Sequence, residues 1–146
     1  MKRTSLEGDP CPVARALDAI GDWWSLMIIR DAFDGLSRFG EFQKSLGLAK
    51  NILAARLHTL TAAGILAAEP APDGGAYHRY VLTEKGRGLF LVMVALRQWG
   101  EATFYGPGEP HSTMRDAATG EEVRRLALVA ADGRRLGPDD VMIRRV

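Results

Sequence analysis

One cysteine, Cys11, stands among 146 residues. A single thiol excludes an intrachain disulfide framework and fits a reducing compartment. Long hydrophobic runs are missing as well. No apolar stretch reaches the ~18 residues that a membrane span needs, because Arg30 and Arg97 break the longest candidates. The opening segment MKRTSLEGDP lacks the apolar core of a signal peptide, so the expectation is a cytoplasmic protein with no membrane partner. Charge is nearly balanced: 19 Lys and Arg against 18 Asp and Glu leave +1, which alone says nothing for nucleic acid. His58, His78 and His111 are scattered, no Ser/His/Asp or metal-ligand constellation occurs, and no glycine-rich phosphate loop follows a strand. The expectation is no enzyme, no cofactor and no metal. With 47% hydrophobic and 25% charged residues, no internal repeat and no low-complexity segment, the chain reads as a globular domain of ordinary size with a small appendage.

What is present is a series of short helices. Cys11-Pro12 opens the first, because proline suits a first helical turn; Val13, Leu17 and Ile20 share one face, and Gly21 ends it. Asp22 caps a second helix over 23–33, apolar nearly all round and so expected to be buried, with Trp23 and Trp24 read as core rather than as a ligand pocket. Ser37 is expected to cap a third helix carrying Phe39, Phe42 and Leu46. A fourth helix runs from about Ala49 to Ala63, with Leu53, Leu57 and Leu60 facing inward and Gly64 as its stop. Residues 65–69 and 78–82 read as two strands around PAPDGGAY, where Asp73-Gly74-Gly75 can supply positive φ angles; Tyr77 and Tyr80 are expected to pack within this wing. Thr83 caps a long fifth helix over 84–104. After Gly106-Pro107-Gly108, seven basic and seven acidic residues accompany hairpin signals at Thr119-Gly120 and Asp132-Gly133, with a last short strand after Gly137-Pro138. The fold class is α+β, mainly α with small β: a winged helix-turn-helix domain over 10–105 and a short β-hairpin appendage over 109–146.

The order of helix, short helix, longer helix, strand, turn and strand places the fourth helix where such proteins enter the major groove. Its outward side holds Asn51, Ala54, Ala55 and His58, with Lys50 and Arg56 beside them and no acid. Asn can bond adenine bidentately, Ala can pack on a thymine methyl, and Lys50 and Arg56 suit phosphate or guanine. Arg56 has a second reading, an internal ion pair that braces the helix. Arg38 and Lys44 are expected to straddle the backbone, and His78 and Arg79 on the wing to reach the minor groove. Val13 and Leu17 on the first helix, with Leu89, Met93, Leu96 and Trp99 on the fifth, offer more apolar surface than a minimal winged domain covers, so two copies are expected to pair there.

The segments CPVARALDAIGDWWSLMIIRDAFDGLSRFGEFQKSLG, ILAARLHTLTAAGIL and YHRYVLTEKGRGL resemble the HxlR branch of bacterial MarR-like transcriptional regulators from about Cys11 to Gly100. That resemblance implies a small homodimer that binds double-stranded DNA at short palindromic operators, as a repressor by expectation. It also implies a sensing role for a cysteine before the helix-opening proline, here Cys11, limited to a symmetric bridge or a mixed disulfide. The tail resembles the C-terminal extension of some members, without the cysteines that hold a metal there. Ala49 and Ala55 depart from the Ser or Thr cap and the Gln common in the family. A redox or electrophile sensor acting through Cys11, and a winged-helix module that meets proteins rather than DNA, are the alternatives. A small-molecule effector stays open.

Overall fold

A computed structural model describes residues 4–75 and 77–146; Met1–Arg3 of the polar N-terminal segment and Ala76 of the wing turn lie outside the described residues. The chain divides into two compact units, one up to Phe90 and one from Leu91.

The first unit holds four helices in sequence: α1 (Pro12–Ile20), α2 (Trp23–Phe33), α3 (Phe39–Leu46) and α4 (Lys50–Ala62). Asp22 caps α2 as expected, its Oδ1 accepting the Ser25 N–H at 2.8 Å. Ile28 and Ile29 of α2, Phe42 of α3 and Leu53, Leu57 and Leu60 of α4 are all buried. The three α4 leucines recur at three- and four-residue spacing, so one stripe of the helix faces the core. Each contributes about 1.5–3 kcal/mol on burial. α2 packs on α3, α4 and the wing sheet, which makes it the central helix. It also carries Asp31, 2% exposed, whose Oδ1 receives Arg30 while Oδ2 is buried without a hydrogen bond among the described residues.

Strands β1 (Leu66–Pro70) and β2 (His78–Leu82) pair antiparallel, with Leu66 opposite Leu82 and Glu69 opposite Arg79. A bridge between Arg38 and Arg79, and the Tyr80 N–H donating to Ser37 O at 2.7 Å, add the entry to α3 as a third edge of this sheet. Of the turn glycines only Gly74 has positive φ, at 72°.

Several expectations need correction. Ser37 does not cap α3; its carbonyl is spent on the sheet, and Arg38 is the N-cap residue without a side-chain bond. The long fifth helix is two helices, α5 (Glu84–Arg87) and α6 (Phe90–Phe104). The turn closes at Gly88, whose N–H donates to Glu84 O, and Leu89 N–H reaches only Gly86 O, three residues back. Gly86 lies against the chain leaving α4: a Cβ there would meet Ile65 O at 2.2 Å. Trp23 is 66% exposed and stacks on Trp24 at 4.1 Å rather than entering the core, and Tyr77, 82% exposed, does not pack within the wing.

The second unit is most of α6 and the extension. β3 (Leu128–Val129) and β4 (Arg135–Leu136) form a hairpin around Gly133, φ 91°. A second turn around Gly120 is closed by the Arg115–Glu122 bridge. The strand expected at the end is instead a 3₁₀ turn, Pro138–Asp140, followed by chain without strand pairing, since no described partner strand lies along it. Gln98 of α6, 9% exposed, donates to Arg124 O at 3.1 Å and accepts the Leu126 N–H at 2.7 Å.

Candidate nucleic-acid interface

The buried leucine stripe of α4 fixes what the opposite side presents. Successive residues turn by about 100°, so Asn51, Ala55, His58 and Ala62 fall away from Leu53, Leu57 and Leu60, with Ala54 and Thr59 at their flanks. All six are exposed. Thr59 was not singled out by sequence. It sits four residues after Ala55 and donates its hydroxyl back to Ala55 O at 3.0 Å. The helical spacing from Asn51 and Ala55 was the signal that could have found it.

The N-terminus of α4 has no side-chain cap: Ala49 has extended backbone (φ −62°, ψ 144°) and no hydroxyl or carboxylate. Its first-turn N–H groups are thus left without that partner, at the positive end of the helix dipole. At the other end, Lys85 donates Nζ to Ala63 O at 2.6 Å, and the Thr83 hydroxyl donates to Gly64 O. The turn into α5 therefore fastens the C-terminal end of α4.

The candidate cations fall into two groups. Lys44 and Lys50 are exposed and have no ion pair among the described residues. The three arginines are half-buried and engaged. Arg38 Nη2 meets Asp73 Oδ2 at 2.8 Å, Arg79 Nη2 meets Glu69 Oε2 at 3.0 Å, and Arg56 Nε lies 3.6 Å from Asp22 Oδ1. A backbone bridge sets Arg38 opposite Arg79, and each guanidinium has its own carboxylate. The internal pairing considered for Arg56 is present, and it ties α4 to the cap of α2. Asp73 is held below its ordinary 3.8 by the Gly75 N–H first and the Arg38 guanidinium second. His78 is exposed at the start of β2.

Between α3 and the wing runs a groove of about 800 Å³, lined by the aromatic rings of Phe39, Tyr77 and Tyr80 and by Arg38, Glu41, Lys44 and His78. The outer surface of the first unit thus joins an uncapped helix with a small, polar outward side, two free lysines, and a wing of compensated charges. Cys11 is exposed at the N-cap of α1. Val13 and Leu17 on α1 are exposed, as are Leu96 and Trp99 on α6, whereas Leu89 and Met93 are half-buried. Among the described residues no helix is long and apolar enough to cross a membrane.

Comparison with known proteins agrees with this geometry. The uncharacterised HTH-type transcriptional regulator Rv3095 of Mycobacterium tuberculosis is 38% identical over 75% of this chain and 69% of its own length. The crystal structure of PA1607, described as a candidate transcription factor, superposes with a TM-score of 0.93 at 53% identity, over 98% of this chain and 100% of that one. The redox regulator HypR in its reduced form gives 0.58 at 32% identity, over 63% of this chain and 92% of its own. The sequence profile of the HxlR-like helix-turn-helix proteins matches residues 19–106. The chain belongs to the HxlR-like helix-turn-helix family, and so to the DNA-binding transcriptional regulators rather than to any class of enzyme.

Proposed function

We propose that this regulator is a cytoplasmic homodimer that represses transcription by seating α4 of each copy in the major groove of a palindromic operator. The observation that carries the reading is the outward side of α4: small and polar side chains, no acid, and an uncapped N-terminus suited to a phosphate. Asn51, Ala54, Ala55 and His58 meet base edges or phosphates; Lys44 and Lys50 meet phosphates. Arg38, Arg56, His78 and Arg79 follow at the edges, the arginines still paired with their carboxylates. On this reading residues 10–105 serve DNA binding and dimerisation and residues 109–146 form the appendage. Val13, Leu17, Leu89, Met93, Leu96 and Trp99 supply the pairing surface, supported by the 60% exposure of Trp99. A second reading, redox control through Cys11, rests on the exposure of that thiol and on the likeness to HypR.

The test is selection from a random duplex pool, followed by titration of the winning sequence against scrambled duplex. A palindrome bound by two copies, with Lys50→Ala and Asn51→Ala each weakening it by about tenfold or more, is expected. Enrichment of no sequence by the folded protein would overturn specific recognition. Trp99→Asp should give a monomer in sedimentation and lose cooperative binding. Cys11→Ser should keep DNA affinity and lose any response to oxidant.

A further inference from the structure

The cavity beside the C-terminal extension takes no part in the reading above. It lies within the second unit, between α6 and the run 111–125, and encloses about 320 Å³. That is the small end of the roughly 300–1,000 Å³ typical of ligand sites. Its walls are fixed by specific bonds. Gln98 holds the backbone at Arg124 and Leu126, and Arg97 Nη1 donates to Ser112 O at 2.9 Å and to Ser112 Oγ at 3.0 Å.

Charge pairing at the lining is uneven once Arg115, which stands beside it without lining it, is counted as the partner of Glu122. Glu101 lies 3.6 Å from Arg97, and Glu122 lies 3.5 Å from Arg115. Each carboxylate therefore already faces a guanidinium. Arg125 has no hydrogen bond or ion pair among the described residues, and the Thr113 hydroxyl has no partner there either. Arg97 is held through Nη1 only, so Nε and Nη2 remain as donors on an immobilised fork. What is left over, with Arg115 counted, is the positive charge of Arg125 together with unused donors on Arg97 and Thr113, in a lining that also holds the apolar side chains of Met114 and Val123.

We propose that this cavity binds a small organic carboxylate, its anionic end on Arg125, Thr113 and the free N–H groups of Arg97, and its short hydrocarbon end on Met114 and Val123. Guanidinium forks match carboxylates, and a fork already held in place loses little freedom on binding. A neutral amide of the same shape lacks the charge that Arg125 would meet. None of these residues is among those proposed to touch DNA, so the test reads binding directly.

The full-length protein, labelled with ¹³C at its methionine methyls, is titrated with butyrate, 2-oxobutyrate and, as the neutral control, butyramide. The Met114 resonance is assigned with Met114→Leu. A saturable shift of that methyl by the carboxylates is expected, with butyramide at least about tenfold weaker. Arg125→Ala should weaken butyrate by about tenfold, equivalent to ~1.4 kcal/mol, at unchanged Tm of the free protein, because Arg125 is exposed and braces nothing. Thr113→Val should weaken it less. The absence of a saturable shift at millimolar ligand, equal binding of butyramide, or full affinity in Arg125→Ala would each overturn the proposal.

Discussion

The sharpest prediction concerns how strongly DNA binding depends on salt. Five cations of each copy belong to the proposed interface, but Arg38, Arg56 and Arg79 are opposed by Asp73, Asp22 and Glu69. Only Lys44 and Lys50 are free, so a pair of copies brings four uncompensated charges. At about 0.9 per neutralised phosphate, log K should fall against log salt with slope near −4; ten free cations would give about −9. Between 50 and 200 mM salt the first means a loss of roughly 150-fold and the second a loss above about 10⁵-fold. The assay is fluorescence anisotropy on a mixed-sequence duplex, with pH held fixed across the salt series. Lys50→Ala should flatten the slope by about 2 for the pair. Arg79→Ala should not flatten it, because it strips Glu69 of its partner. A slope near −9, or Arg79→Ala acting as strongly as Lys50→Ala, would refute the reasoning: the carboxylates would then release their arginines when DNA arrives.

Three further outcomes follow from particular contacts. Gly86→Ala should destabilise by about 1–3 kcal/mol, because its Cβ would stand 2.2 Å from Ile65 O and the turn must move. At roughly 2–4 °C per kcal/mol for a chain of this length, calorimetry should show a fall in Tm of several degrees, and DNA affinity should weaken with it. The Arg38–Asp73 link should persist as pH is lowered towards 3.8 and be lost only below it. A carboxyl held below its ordinary value contributes stability above that value and gives it up as pH falls through the lower one. The Gly75 amide resonance, followed from pH 6 to 2, reports this, and Asp73→Asn should abolish the transition. Gln98→Ala should leave Leu126 N–H and Arg124 O without their partners, destabilising the extension by about 1–3 kcal/mol. Hydrogen exchange should show that loss at Leu126, with the α4 amides unchanged.

Residues whose role is set by neighbours in the chain were legible in the sequence. Asp22 caps α2 because the Ser25 N–H is three residues on, and Leu53, Leu57 and Leu60 are buried because helical spacing stacks them on one side. The corrections come from partners far away in the chain. Ser37 has the right chemistry for a cap, yet its carbonyl is taken by Tyr80, 43 residues later, and the backbone there becomes sheet edge. The long fifth helix failed for a similar reason. Its apolar periodicity is continuous, but the helix closes at Gly88, where the Leu89 N–H bonds back to Gly86 O, just after Gly86 has packed against Ile65 from the chain leaving α4. Tyr77 and Trp23 look like core by composition alone, and nothing nearby in sequence says that they face outward.

The same distinction separates what the sequence could say of the DNA face from what it could not. It shows which side of α4 is free of acids, since that depends on helical spacing. It does not show that Arg38 and Arg79 sit side by side, each with a carboxylate, because that needs the bridge between the entry to α3 and the wing. Counted along the chain, the region from Leu36 to Lys85 is mildly basic, with six cations against four acids. Paired in space, Arg38 and Arg79 are matched by Asp73 and Glu69 and Arg56 by Asp22, so the proposed interface keeps two cations without a carboxylate partner, one on α3 and one at the start of α4. On the proposed reading, long-range attraction to the duplex is accordingly modest, and discrimination falls to the small, polar ridge of α4. A single bulky or acidic residue at Ala55 tests that division. Ala55→Glu puts a negative charge at the middle of the ridge without touching the leucine stripe. It should keep the fold and Tm, because Ala55 is exposed, yet lower affinity for the selected operator by about tenfold or more, of the order of one lost base contact. Retained operator binding in that variant would mean that α4 does not enter the groove by this side.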